Sequence, residues 1–157
     1  MNLVPKFKIF IGADHRGYTF KAKIIGILND LGYRVVDMGT HDEMKSCDYP
    51  IVAYHVAKAV AKSKNDRGML VCMSGVGQAM AANKVKGAYA ALCHNVEGAQ
   101  LSRQHNNANI LVLGAKFVNP KDLRRIITTW LTTKFEGGRH QRRINQIKKI
   151  EKGIKLK

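Results

Sequence analysis

Met69-Leu70-Val71-Cys72-Met73-Ser74-Gly75-Val76-Gly77-Gln78-Ala79-Met80-Ala81-Ala82-Asn83-Lys84 reads as an apolar run, a turn carrying two glycines, and an Ala-rich helix over about residues 78–84. Four apolar residues in a row, with no polar alternation, suit a strand buried on both faces. The same alternation of short runs and helical stripes extends in both directions. Upstream, Pro50 opens a helix at a position where its missing N–H costs nothing, and Val52, Val56 and Val60 give that helix its stripe. Before it stand a strand at 34–37, a helix from Lys21 to Leu31 stopped by Gly32, and a strand at 7–11. Downstream come a strand at 89–92, a helix from Glu97 to Gln104, a strand at 110–113, and helices at about 120–133 and 139–151. Strands separated by helices require right-handed crossovers and a parallel sheet covered on both faces. The expected fold is α/β, a three-layer Rossmann-like sandwich with a five-stranded parallel sheet.

One domain is expected over residues 1–157, with a basic C-terminal tail from about 148. Hydrophobic residues make up 45%, enough for a core, and no apolar run approaches the roughly 20 residues that span a bilayer. Pro5 and Lys6 stand where a secretory leader would carry its apolar stretch, so secretion is not expected. Three cysteines without zinc-type spacing argue against a disulfide scaffold and for a reducing compartment, the cytoplasm. The charge is +16, from 27 Lys and Arg against 11 acids. Such a surface attracts polyanions, among which nucleic acid and phosphorylated metabolites are equal candidates; a solvated basic surface explains the charge as well.

Ligands of open parallel sheets sit beyond the carboxyl ends of the strands. The segments leaving strands there are Gly12-Ala13-Asp14-His15, Cys72 to Gly77, Cys93-His94-Asn95 and Gly114-Ala115-Lys116. In Cys72-Met73-Ser74-Gly75-Val76-Gly77 the glycines permit a tight turn, and the helix that follows offers free N–H groups to an anion. The same positive end should lower the pKa of Cys72. A thiolate beside an anion hole suits proton abstraction from a carbon acid, with the N–H groups holding the oxyanion. A buried Cys ending a strand, with glycines serving only the turn, is the other reading. The P-loop pattern is absent. Asp14 and His15 suit sugar hydroxyls, and Asp14 equally suits a helix cap. His105 beside Asn106 could act as acid or base near neutral pH, although three Asn in four positions also make a turn. Arg139 and Arg143 share a helix face as a phosphate clamp or as part of a solvated basic helix. His41, His55 and His140 read as surface or packing residues, and no metal site is expected from the spacing of the six histidines.

Seven motifs together resemble ribose-5-phosphate isomerase type B and its galactose-6-phosphate and allose-6-phosphate isomerase relatives. They are Gly12-Ala13-Asp14-His15-Arg16-Gly17, Val36-Asp37-Met38-Gly39-Thr40, Asp48-Tyr49-Pro50, Cys72 to Gly77, Ala81-Ala82-Asn83-Lys84-Val85, Ser102 to Asn109 and Glu136-Gly137-Gly138-Arg139-His140-Gln141. The resemblance covers about residues 7 to 151. It implies an aldose–ketose isomerase of the pentose phosphate pathway that interconverts D-ribose 5-phosphate and D-ribulose 5-phosphate through a cis-enediolate, without metal or organic cofactor. Carried over by position, Cys72 matches the base and His105 the ring-opening residue. Asp14, His15, Asn106 and the backbone of Met73, Ser74, Gly75, Val76 and Gly77 match substrate-binding positions. Lys116, Arg139 and Arg143 match phosphate ligands. The resemblance also implies a homodimer with sites between subunits, with pairing into a tetramer as an option.

This chain departs from the pattern at four places. Met73-Ser74 stands where many relatives have Gly-Thr. Lys116 stands where the ribose enzymes usually have Arg, which keeps the charge and loses the bidentate fork. Gln78 occupies the place of a Glu base used by some relatives. The Lys-rich tail reads as a solvated end. A six-carbon sugar phosphate isomerase is the alternative within enzymes. A nucleic-acid module is disfavoured by 7% aromatics and the lack of a recognition motif, leaving non-specific contact only. A regulator without catalysis is disfavoured because the base and ring-opening positions are both filled.

Overall fold

The computed structural model describes residues 7–156. Residues 1–6, on which the reading against a leader rests, lie outside them, as does the last residue of the basic tail.

The elements alternate as expected: β1 Lys8–Ala13, α1 Tyr18–Asp30, β2 Arg34–Asp37, α2 Tyr49–Ala61, β3 Arg67–Cys72, α3 Val76–Ala82, β4 Ala90–Leu92, α4 Val96–Gln104, β5 Ile110–Gly114, α5 Leu123–Thr132 and α6 Arg139–Glu151. The sheet is parallel throughout, in the order β2-β1-β3-β5-β4. Side chains alternate across it. Ile9, Ile11, Met69, Val71, Leu111 and Leu113 meet α1 and α5 through Ile24, Leu28, Ile126 and Trp130. Leu70, Ile110 and Val112 meet α2 through Val52, Val56 and Val60. The inner strand β5, between β3 and β4, is buried along its whole length, which is why it reads as an unbroken apolar run.

Boundaries shift where local chemistry outweighs the stripe. α1 starts at Tyr18 rather than Lys21, because a 3-10 turn over His15–Gly17 is capped by Asp14, whose Oδ1 accepts from the Gly17 N–H at 2.9 Å. β3 starts at Arg67 because Arg67 and Gly68 pair with Ile9 and Phe10. α3 starts at Val76, directly off the left-handed Gly75. α5 starts three residues after Pro120.

From β1 the chain crosses to β2 on one side, and from β3 it builds towards β5 and β4 on the other. The point of reversal lies between the carboxyl ends of β1 and β3, where such sheets open a crevice for ligands. Asp14 follows one of these strands and Cys72 ends the other.

Candidate active site

Cys72 is buried, with 6% of its surface exposed. Its Sγ accepts the Gly75 N–H at 2.9 Å. The turn that makes this possible needs a glycine: Gly75 has φ +82°, and a Cβ there would lie 2.5 Å from Leu92 Cδ1. The loop is braced from the next strand, since Ala115 N donates to Cys72 O at 2.9 Å and Lys116 N to Met73 O at 3.0 Å. Gly114 lets the loop lie this close, because a Cβ there would strike Ser74 O. Asp14 is buried beside β3, its N–H donating to Val71 O at 3.3 Å. His15 Nδ1 accepts from Cys47 N at 3.3 Å, and Arg16 reaches Met73 Sδ at 3.2 Å. Asp14, His15, Cys72, the loop from Met73 to Gly77, and Lys116 thus gather at one rim. Gln78 is fully buried on α3, with neither amide atom paired among the described residues.

The expectation of a lowered Cys72 pKa is corrected. In the single chain burial pushes the thiol up from its ordinary value, and the Asp14 charge pushes in the same direction. The Gly75 and Ser74 N–H groups and the Ser74 hydroxyl oppose this without overcoming it. A helix of seven residues gives the thiol only a short run of aligned peptide dipoles.

The remaining residues do not join this rim. α4 runs back across the sheet, so His105, its C-cap, stands at the other end, five residues before Ile110. Ile110 pairs with Gly68 near the start of β3, and Cys72 pairs with Gly114. Four residue steps, at about 3.3 Å each, put about 13 Å of sheet between the two ends. Asn106 lies beside His105, in a turn fixed by the buried Arg103, whose guanidinium donates to Ala108 O at 2.6 Å. Asn107 has the left-handed φ of +47° that Asn tolerates. Arg139 and Arg143 begin α6 at this same end, because Glu136 N donates to Gln104 O at 3.1 Å and ties the approach of α6 to the end of α4.

Of the two readings of His140, surface or packing, the structure has packing: the residue is buried, and it also belongs to a cluster. Its ring lies on that of His105, centroids 4.2 Å apart and planes 9° from parallel. Glu136 Oε2 is 3.6 Å from His140 Nε2 and 4.0 Å from His105 Nε2. The ligand atoms of these three residues lie within 4.8 Å of one another. Chain spacing hides this group, since 35 positions separate the two histidines; the i,i+4 spacing of Glu136 and His140 was the available signal. Beside this end a groove of about 720 Å³ is lined by Lys62, Lys64, Arg67, Lys86, Lys148 and Lys152, which accounts for part of the positive charge.

The family model for Ribose/Galactose Isomerase matches residues 9–147. A probable ribose-5-phosphate isomerase B of Mycoplasma genitalium is 47% identical over 93% of this chain and 97% of that protein. The ribose-5-phosphate isomerase B of Escherichia coli is 43% identical over 92% and 96%. Among solved structures, the Clostridium thermocellum ribose-5-phosphate isomerase B superposes with a TM-score of 0.90 at 46% identity, covering 94% of this chain and 99% of that one. The Mycoplasma genitalium enzyme with bound ribulose-5-phosphate also gives 0.90, at 47% identity, covering 94% and 97%. With this fold, the thiol-bearing glycine loop and these likenesses over nearly its whole length, the chain belongs to the ribose/galactose isomerase family.

Proposed function

We propose that this chain is an aldose–ketose isomerase of sugar phosphates, acting on D-ribose 5-phosphate and D-ribulose 5-phosphate in the pentose phosphate pathway. The observation that carries the reading is Cys72, held at the crevice of the sheet with the Gly75 N–H on its sulfur. In the open-chain aldose the thiolate takes the proton from C2, and the electron pair moves through C1 onto O1. The loop N–H groups from Met73 to Gly77 hold that oxyanion in the resulting cis-enediolate. The thiol then returns a proton to C1 while a proton passes from O2 to O1, leaving the ketose. The base therefore ends as it began.

His105 opens the furanose first: the C1–O4 bond breaks, O4 gains a proton and the O1 hydroxyl loses one. O1 and O4 are both bonded to C1, so one imidazole can serve both transfers. The separation of His105 from Cys72 in one chain supports a site built between two copies. Each copy supplies Asp14, His15, Cys72, the glycine loop and Lys116 to one site, and His105, Asn106, Arg139 and Arg143 to the other. The cations bind the phosphate far from the reacting carbons, so that binding energy can position C1 and C2. The second copy's guanidinium groups would also favour the thiolate that burial opposes in the single chain.

The test is turnover of D-ribose 5-phosphate in excess EDTA, for the wild type and Cys72→Ala. The reading expects ketose from the wild type and none from the variant. Turnover by both would remove Cys72 as the base; turnover by neither would remove the ribose assignment and direct attention to six-carbon sugar phosphates.

A further inference from the structure

The end of the sheet bearing His105 holds a second buried imidazole and a carboxylate for which the isomerisation chemistry just described has no use. Glu136 Oε2 faces Nε2 of both His105 and His140, at 4.0 and 3.6 Å. The two rings are stacked, so they cannot hydrogen-bond to each other. His140 Nε2 is buried with no hydrogen-bond partner among the described residues. Its pKa is held down by burial first, then by His105, Arg139 and Arg143, against the pull of Glu136.

A carboxylate can only accept, and a neutral imidazole has one N–H and one lone pair. Of the two nitrogens of each ring, Nε2 is the one turned towards the Glu136 oxygen, so a proton carried there is the one this carboxylate can accept. We propose that Glu136 is a positioning residue for ring opening: its carboxylate, set between His105 and the stacked His140, fixes the proton on His105 Nε2 and leaves Nδ1 as the nitrogen that works on the sugar. The observed separations, 4.0 and 3.6 Å, are longer than hydrogen bonds, and this role requires the His105 contact to shorten when the site fills, as catalytic contacts often do. The link from Glu136 N to Gln104 O, 3.1 Å, holds the carboxylate to the helix that His105 terminates. In the step itself Nδ1 takes the O1 proton, the C1–O4 bond breaks, and the same proton is delivered to O4; His105 and Glu136 return unchanged. His140 is the platform that keeps the ring of His105 from turning.

The inference rests on the isomerase reading, and the experiment separates the two. Wild type, Glu136→Gln and Glu136→Ala are compared on D-ribose 5-phosphate and on its 4-deoxy analogue, which lacks O4 and stays open. In parallel, exchange of the C1 proton of D-ribulose 5-phosphate is followed in D2O, which needs the enediolate and no ring. Both variants should lose about 100-fold in conversion of D-ribose 5-phosphate, the low end of what a placed acid–base group supplies. Turnover of the open analogue and C1 exchange should stay within about twofold of wild type, since neither needs the proton transfer that Glu136 prepares. A parallel fall in all three would make Glu136 a binding or folding residue and overturn the proposal, as would unchanged conversion of D-ribose 5-phosphate. A wild type that neither converts D-ribose 5-phosphate nor exchanges the C1 proton would instead overturn the isomerase reading.

Discussion

Lys21 is 2% exposed, and its Nζ donates to Asp37 Oδ1 at 2.6 Å and to Thr40 O at 2.7 Å. The charge on α1 thereby holds the segment after β2 against the end of β1, where Ala13 and Gly39–Thr40 exchange backbone hydrogen bonds of 2.7 and 2.6 Å. The Val36 to Thr40 motif thus braces the loop bearing Asp14. Removing one partner of a buried ion pair strands the other. Asp37→Ala should therefore cost about 2–3 kcal/mol, below the usual range because Asp37 remains part open to water. Lys21→Met, which removes the buried charge, should cost less. Urea unfolding of the two variants checks the order.

Gly75→Ala should damage both fold and activity. An L side chain in the left-handed region costs about 1–2 kcal/mol by itself, and the new methyl would lie 2.5 Å from Leu92 Cδ1. The turn must open, taking the Gly75 N–H from Cys72. Thermal unfolding should show the loss, and turnover at a temperature where the variant stays folded should fall further than stability explains.

Two dead variants should revive each other. Cys72→Ala and His105→Asn are each expected to be inactive. In a mixed pair, one site receives an intact thiol from one chain and an intact imidazole from the other. Random pairing makes half the dimers mixed, with one good site of two, so about a quarter of wild-type activity should return after unfolding and refolding together. No recovery would place both residues in one chain's site.

Tyr89 donates its hydroxyl to Glu151 at 3.1 Å, and burial, then the Glu151 charge, pushes its pKa up to about 12. The folded phenol stays neutral after the unfolded one ionises at about pH 10. The contribution of Tyr89 is therefore present below pH 10 and is lost as pH rises towards about 12. Replacing Tyr89 with Phe should flatten the stability profile across that window. Urea midpoints at stepped pH, beside the absorbance titration of the phenols, measure it.

Strands and helices were legible because their signals are local: Val52, Val56 and Val60 mark one face of α2 wherever that face packs. The order of the alternation also puts Asp14 and Cys72 at one rim, since both follow the carboxyl ends of parallel strands. Lys21 could not be read this way; in the sequence it is one lysine in an amphipathic helix, and its burial depends on Asp37 arriving from β2. The pKa of Cys72 is only half legible in the sequence for a similar reason. The helix end that favours a thiolate is visible in the glycines, whereas the burial and the Asp14 carboxylate that oppose it come from the packing of β1 against β3. The cluster of His105, Glu136 and His140 joins two helices that only the fold brings together.

The placing of Cys72 and His105 at opposite ends of a parallel sheet bears on damage. A chain whose Cys72 has been oxidised still presents a sound His105 end. If two copies share their sites as proposed, pairing it with an undamaged copy spoils one site and completes the other. Defective molecules would then dilute the activity of their neighbours without extinguishing it, and a cell carrying some of them would lose flux gradually rather than at a threshold.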